Sequence, residues 1–277
     1  MRHAVIRATG CFAPEQEVSN EDLQALLEES GALEPKPPGE RFIDKMEPRT
    51  GITTRRVAPL GEATSDIALP AAQQALERAG LGPEDIDLLV VGTDSPDFVT
   101  PATSVVLQHK LGAKNAGTFD VGCACASFPT GLATASGLLT STPGLNRALV
   151  LGVYRMSALA APDDPMRFFY GDGAGAAVLE AVEQEGGEPA GIITSAFAAD
   201  GSLHRAWGIL AGGTAEPASV EALAAGRMQV RVYDRYPPEV NEEGWPKLVR
   251  RLAEQGGFAI SDIDMAIFTQ VRRPTIE

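Results

Sequence analysis

Apolar and polar positions alternate along this chain in two registers. Five segments, Val5 to Gly10, Leu88 to Thr93, Gly117 to Val121, Ala148 to Val153 and Ala176 to Glu180, are short, apolar and bounded by turn-forming residues, as buried strands are. Apolar residues at helical spacing predict helices over Asn20 to Glu29, Ser65 to Ala79, Ala126 to Leu139 and Glu242 to Gln255. In the third of these, Phe128, Leu132, Ala135 and Leu139 share one face while Gly131, Ala133 and Gly137 keep the others small, which predicts a buried helix. Pro70 is expected to kink the first turns of the second helix or to delay its start. Ala32 to Glu40, with Pro35, Pro37 and Pro38, reads as a surface loop. Strands separated by helices predict a layered α/β fold.

One pattern occurs twice. Leu76-Glu77-Arg78-Ala79-Gly80 followed by Glu84-Asp85-Ile86-Asp87-Leu88-Leu89-Val90-Val91 reads as helix, glycine stop, acidic turn and buried strand. The same order returns in Arg251-Leu252-Ala253-Glu254-Gln255-Gly256-Gly257 and Ser261-Asp262-Ile263-Asp264-Met265-Ala266-Ile267-Phe268, which points to a duplicated unit. Aligning Asp85 with Asp262 offsets the copies by about 177 residues and would put the counterpart of Cys125 near position ~302. The second copy is therefore expected to be unfinished. Arg273-Pro274-Thr275-Ile276-Glu277 reads as the opening turn of a helix, so the chain is expected to be truncated.

The candidate chemistry centres on Cys125, in Phe119-Asp120-Val121-Gly122-Cys123-Ala124-Cys125-Ala126-Ser127-Phe128-Pro129, where a predicted strand gives way to a helix. Proline is tolerated only in the opening turn, so Pro129 puts the helix start no earlier than about Cys125. Unpaired N–H groups and the positive end of the helix dipole then favour a thiolate. From this run alone, a small core cysteine is an equally good reading. Gly171, Gly173 and Ala176 satisfy the G-x-G-x-x-G/A spacing of dinucleotide sites, but a β-rich Ala-Val-Leu-Glu segment follows where a helix is required, so that reading is rejected. Close backbone packing beneath the thiol is expected there instead.

Three motifs in order change the balance. Arg49-Thr50-Gly51-Ile52, then Phe-Asp-Val-x-x-Ala-Cys-Ala-x-Phe around Cys125, then Tyr170-Gly171-Asp172-Gly173-Ala174-Gly175-Ala176-Ala177-Val178-Leu179 resemble β-ketoacyl-acyl carrier protein synthase III, a thiolase-fold condensing enzyme. The resemblance covers nearly the whole chain. It implies a thiolase-like layered α/β fold of two duplicated halves, residues 1–185 carrying the nucleophile and residues 186–277 forming an incomplete second half.

It also implies a two-stage acyl transfer. Cys125 takes the acyl group of an acyl-CoA, with its own N–H among the oxyanion donors, and a malonyl thioester then loses carbon dioxide and attacks that acyl group. No cofactor is implied. Family members supply a histidine, in His-Gln-Ala-Asn, after the strand that follows the late Asp-Ile-Asp, and an asparagine further on. Here the stretch is Phe268-Thr269-Gln270-Val271-Arg272-Arg273, so Thr269 takes the histidine place and Gln270 is the neighbouring donor. A threonine hydroxyl cannot carry a proton near neutral pH. An acyltransferase using a hydroxyl, an amine or a second acyl chain as acceptor is the alternative, and a catalytically idle acyl-binding scaffold is the third reading. By the same resemblance Arg49 is an entrance arginine, Phe42 flanks the CoA adenine, and Phe98 or Thr100 sets chain length from a loop that reaches the neighbouring subunit of a homodimer. Cys123 is read as packing.

Composition limits the partners. A chain of 277 residues can bury on the order of 75% of the surface its unfolded form exposes. The net charge of −14 argues against nucleic acid, and no apolar stretch long enough to span a membrane is visible. With no basic, apolar leader and no disulfide framework among Cys11, Cys123 and Cys125, the expectation is a cytoplasmic protein. Docking an acidic acyl carrier protein would need a local basic patch, for which Lys247, Arg250, Arg251, Arg272 and Arg273 are the candidates, a solvated charged face being the alternative. Metal binding finds too few ligands, since Cys-x-Cys offers two at most and His3, His109 and His204 are scattered. The same scatter leaves a cysteine hydrolase without an evident base.

Overall fold

The computed structural model describes residues 2–184, 186, 190–234, 236–271 and 273. In chain order the strands are β1 (Arg2–Phe12), β2 (Glu17–Ser19), β3 (Thr54–Arg56), β4 (Leu88–Gly92), β5 (Gly117–Val121), β6 (Arg147–Tyr154), β7 (Gly173–Glu183), β8 (Trp207–Gly208) and β9 (Arg231–Val232). The helices are α1 (Asn20–Glu29), α2 (Phe42–Thr50), α3 (Thr64–Ala79), α4 (Thr103–Leu111), α5 (Ser127–Ser141), α6 (Val220–Ala224) and α7 (Glu239–Gly256). They group into two compact units. The first comprises residues 1–16, 56–155 and 171–195, and the second comprises residues 17–55, 156–170 and 196–277.

The first unit is a layered α/β structure. Its five-stranded sheet runs β1-β7-β6-β4-β5, with β4 parallel to β5 and β6, and β7 antiparallel to β6 and β1. Strand side chains alternate between faces, and the two buried clusters follow that alternation. Leu89, Val91, Leu149, Leu151 and Val178 meet α3 and α4 on one face, and Leu88, Val90, Ala148, Val150 and Leu179 meet α5 on the other. α3 lies close because Ala68, Ala71, Ala72 and Ala75 are small and fully buried, and because a side chain at Gly10 of β1 would run into the Ala71 carbonyl. The start of α3 is not delayed by Pro70, which sits inside the helix. Asp66 accepts from the Ala63 N–H at 2.9 Å and fixes the first turn, and the buried alanine face outweighs the missing donor.

A buried ion pair anchors the connection from β3. Arg155 Nη1 lies 3.3 Å from Asp172 Oδ2, and the two side chains are 5% and 0% exposed. Asp172 also accepts from Ala58 N–H at 2.9 Å, and Arg155 Nη2 donates to the Pro59 carbonyl at 2.8 Å. The aspartate of the Gly-Asp-Gly run is thus a structural tie.

In the second unit, Leu23, Leu27, Ile43 and Phe168 form a small core, with Phe42 edge-on to Phe168 at 5.8 Å. α7 ends at a left-handed Gly257 and a short 3₁₀ turn, Ile260–Asp262, follows. The strand expected after it does not form. Among the described residues nothing pairs with 263–268, Met265 and Ile267 are 77% and 84% exposed, and Phe268 instead stacks on Trp245 at 5.4 Å. β-structure needs a neighbour to take its backbone groups, and among the described residues none pairs with this stretch. Among the described residues no helix is long and apolar enough to cross a membrane.

Candidate active site

β5 delivers the chain to Cys123, a 3₁₀ turn over Ala124–Ala126 carries Cys125, and α5 continues without a break from Ser127. The turn is strained, since Ala124 has φ +53°, the one positive φ among the described non-glycine residues. A left-handed residue with a Cβ costs about 1–2 kcal/mol. Three hydrogen bonds hold it: Cys123 N–H donates to Ser127 Oγ at 2.9 Å, Ser127 Oγ–H donates to the Ala124 carbonyl at 2.7 Å, and Ala124 N–H donates to Asp94 Oδ1 at 3.1 Å. Cys125 is exposed, and its N–H has no acceptor among the described residues. A thiol and an unpaired N–H therefore share one residue at the entry to a fifteen-residue helix. Cys123 Sγ donates to Thr130 Oγ1 at 3.3 Å, and the residue is exposed rather than packed away as expected.

The thiol opens on a cavity of about 210 Å³ built from the ends of β4, β6 and β7. Gly92, Gly152 and Gly175 lie in register across those three strands and form part of its lining. A Cβ at Gly92 would stand 2.8 Å from the Ser127 carbonyl carbon, and one at Gly152 would stand 2.9 Å from Phe128 Cβ, so these two glycines let α5 sit on the sheet. The close packing expected of the Gly171 to Gly175 run is met at Gly173, where a Cβ would stand 3.3 Å from the Phe12 carbonyl oxygen, and not at Gly175. A Cβ at Gly175 would meet nothing within 4 Å, because that glycine faces the open cavity. The run itself opens β7, a strand where a dinucleotide site would need a helix, which agrees with the rejection of that reading.

Asp94 is the cavity's one charged lining side chain, and sequence reasoning missed it. Burial pushes its carboxyl above the usual carboxylate range, against the opposing hydrogen bond from Ala124 N–H. The signal was there in Gly92-Thr93-Asp94-Ser95, a polar break at the carboxyl end of a parallel strand, where α/β ligand sites gather. His3, His109 and His204 do not line this cavity.

The other sequence-derived residues lie as follows. Phe98 is 56% exposed and Thr100 is exposed, both on the loop after β4 in the first unit. Arg49 is exposed in the last turn of α2, where a cation offsets the helix dipole. Phe42 is half-buried and lines a second cavity, of about 320 Å³, with Lys36 and Lys45. Thr269 is half-buried and Gln270 exposed in an irregular stretch of the second unit. Lys247, Arg250 and Arg251 are exposed on α7. Lys247 pairs with Glu243 at 2.8 Å, and Arg251 Nη1 donates to the Phe197 carbonyl at 3.3 Å. Arg273 is exposed, and Arg272 lies outside the described residues.

A layered sheet with an exposed cysteine at the strand-to-helix junction, over a glycine-lined cavity, is the arrangement of the thiolase-fold proteins. Comparison with known proteins narrows this. The model of 3-oxoacyl-[acyl-carrier-protein] synthase III matches residues 119–201. The β-ketoacyl-[acyl-carrier-protein] synthase III of Symbiobacterium thermophilum is 34% identical over 272 residues, 96% of this chain and 76% of that protein. That of Hyphomonas neptunium is 39% identical over 203 residues, 73% of this chain and 58% of that protein. Among solved structures, the priming β-ketosynthase of the R1128 polyketide biosynthetic pathway superposes with a TM-score of 0.82 at 28% identity, over 99% of this chain and 76% of that one. The chain belongs to the β-ketoacyl-[acyl-carrier-protein] synthase III family. Its alignments with these two curated relatives span 58% and 76% of their length.

Proposed function

We propose that this chain carries out acyl transfer through a thioester on Cys125, as the first stage of a synthase III-type condensation of an acyl-CoA with a malonyl thioester. The observation that carries this is the exposed Cys125 thiol, with its own unpartnered N–H, at the start of α5 on the 210 Å³ cavity. The thiolate attacks the thioester carbonyl, the oxyanion takes the Cys125 N–H, and the CoA thiolate leaves with its electron pair. In the second stage the malonyl thioester releases carbon dioxide and its carbanion attacks the acyl group, returning the Cys125 thiolate. Thr269 and Gln270 are assigned as donors to the malonyl thioester carbonyl. Arg49 guides the pantetheine arm, Phe42 with Lys36 and Lys45 receives the adenine end, and Phe98 and Thr100 bound the acyl chain. Lys247, Arg250, Arg251, Arg272 and Arg273 are the docking surface for a carrier protein. The protein acts without a cofactor, as a cytoplasmic homodimer whose residues 1–185 and 186–277 descend from one duplicated unit.

A second reading rests on two observations. Thr269 stands where the family histidine is expected, and Asp94, the one charged side chain lining the Cys125 cavity, repels a malonyl carboxylate. Both favour an acceptor that is a hydroxyl, an amine or a second acyl chain. The test is direct. Incubation with an acyl-CoA adds the acyl mass to the protein, and Cys125→Ala abolishes it. No adduct, or one that persists in the variant, refutes acyl transfer at Cys125. Product from an added malonyl thioester then supports condensation, whereas an adduct discharged only by hydroxyl or amine acceptors selects the second reading. An adduct discharged by no acceptor identifies an idle acyl-binding scaffold.

A further inference from the structure

Asp94 stands in a part of the first unit that is fixed from both sides. The preceding Thr93 is buried and donates its N–H to the Val121 carbonyl at 3.1 Å. The following Ser95 is buried as well. Its N–H donates to Thr93 Oγ1 at 3.0 Å, its Oγ accepts from Arg155 N–H at 2.8 Å, and its carbonyl accepts from the Thr64 hydroxyl. Only Asp94 of the three is partly exposed, and it lines the same cavity as Cys125. Oδ1 accepts from Ala124 N–H at 3.1 Å, and among the described residues Oδ2 has no partner. The peptide so held belongs to the residue with φ +53° that immediately precedes Cys125. A charged acceptor on a rigid strand end is thus aimed at the one strained non-glycine residue that sets the direction of the thiol. Carboxylate acceptors make stronger hydrogen bonds than neutral ones, so this bond offsets the strain.

We propose that Asp94 is a positioning residue for Cys125, its carboxylate holding the Ala124 peptide in the left-handed turn that presents the thiol to the cavity. The proposal rests on Cys125 being the acyl-accepting residue. A simple structural cap would leave the reactivity of one particular thiol unaffected once the protein has folded. A positioning role does not.

The experiment follows modification of Cys125 by iodoacetamide, read by peptide mass spectrometry, and acylation by a short-chain acyl-CoA. Cys11, exposed on β1, serves as the internal reference. In Asp94→Ala both rates at Cys125 fall on the order of 10²-fold while Cys11 is unchanged, as expected when a reacting group is displaced by about 1 Å. Asp94→Asn keeps an oxygen for the same N–H and stays within about threefold of the parent. Adding Ala124→Gly to Asp94→Ala restores Cys125 to within about threefold, because glycine adopts positive φ without help. Parental alkylation of Cys125 in Asp94→Ala, or a double variant as slow as Asp94→Ala, overturns the proposal. Should Asp94→Ala fail to melt cooperatively, the double variant decides, since glycine at 124 removes the strain the carboxylate offsets: Cys125 within about threefold of the parent supports the proposal, and a loss of about 10²-fold overturns it. If the parent takes no acyl group from acyl-CoA, the acyl-transfer reading falls while the alkylation series still decides the role of Asp94.

Discussion

A methyl group placed at Gly92 tests how closely the thiol's position depends on the seating of α5. A Cβ there would lie 2.8 Å from the Ser127 carbonyl carbon, 3.0 Å from Phe128 N and 3.0 Å from Ser127 Cβ, where ordinary contact begins at 3.4 Å. Two of these atoms are backbone, so no rotamer change relieves the clash, and the first turn of α5 must rise by roughly 0.6 Å. Overpacking of this kind costs about 1–3 kcal/mol, or a fall in Tm of roughly 2–4 °C per kcal/mol for a domain of 150–250 residues. Cys125 is two residues from Ser127 and moves with it. A displacement over half of 1 Å is expected to slow acylation by roughly tenfold, given ~10²-fold per 1 Å. Gly137→Ala, on the same helix, is the matched control. Its Cβ would meet nothing within 4 Å, so it should stabilise the protein by about 0.5–1 kcal/mol and leave acylation alone. Thermal melts and acyl-adduct kinetics read both variants. If Gly92→Ala melts and acylates like the parent, or if Gly137→Ala is equally damaged, the seating argument is wrong.

Three further outcomes are expected. Asp172→Ala removes the carboxylate beside the Arg155 guanidinium, 5% exposed, together with the acceptor of Ala58 N–H, and should cost about 3–5 kcal/mol in urea unfolding; a loss below about 1 kcal/mol would show the pair to be dispensable. Asp94 has a folded pKa above its unfolded one, so its contribution to stability is present below the ordinary carboxylate pKa and is lost as pH rises through the raised value. Asp94→Asn should therefore be more stable than the parent at pH 7, with the gap closing as pH falls below about 4; a gap that is absent or grows in acid contradicts the burial cause. Ile267→Lys, at a position 84% exposed, should change the unfolding free energy by less than about 0.5 kcal/mol, whereas Val90→Lys, fully buried in β4, should prevent folding; circular dichroism melts of the pair check this.

Much of the first unit was legible in the sequence. All five predicted strands exist, because near-continuous apolar runs between turn residues have few other uses in an α/β layer. The four predicted helices also exist, within three residues at each end. What escaped carried no clean local pattern, and at α4 a distant residue fixes the start. α4, Thr103-Ser104-Val105-Val106-Leu107-Gln108-His109-Lys110-Leu111, carries no clear helical face, and its start is capped by Asp120 from β5, which accepts from Thr103 N–H at 2.7 Å and Ser104 N–H at 2.8 Å. α2 has Pro48 inside it, and its start is held by Asp44 accepting from Arg41 N–H at 3.1 Å. In the site, the local run and Pro129 placed Cys125 at a helix start but left a core cysteine equally open until the flanking motifs were added, whereas Asp94 acts across 30 positions and no local pattern marks its partner.

The repeated motif separates what a segment encodes from what its neighbours supply. At the first copy Leu81 N–H donates to the Leu76 carbonyl at 3.0 Å and Gly82 N–H donates to Asp85 Oδ2 at 2.8 Å. At the second, Phe258 N–H donates to the Ala253 carbonyl at 3.1 Å and Ala259 N–H donates to Asp262 Oδ2 at 2.9 Å. Left-handed glycines, Gly80 and Gly257, stop the two helices. The local sequence therefore builds the same stop and the same turn twice. After the first, Leu88–Gly92 is buried at every position and pairs with β5 and β6. After the second, an equally apolar run forms no ladder among the described residues. Capping bonds close within a few residues and form wherever their residues occur, but a strand is completed by its neighbours. For the same reason the helix start beside the thiol could be placed from its own sequence, while the bond from Ala124 N–H to Asp94 became visible only once β4 lay beside β5.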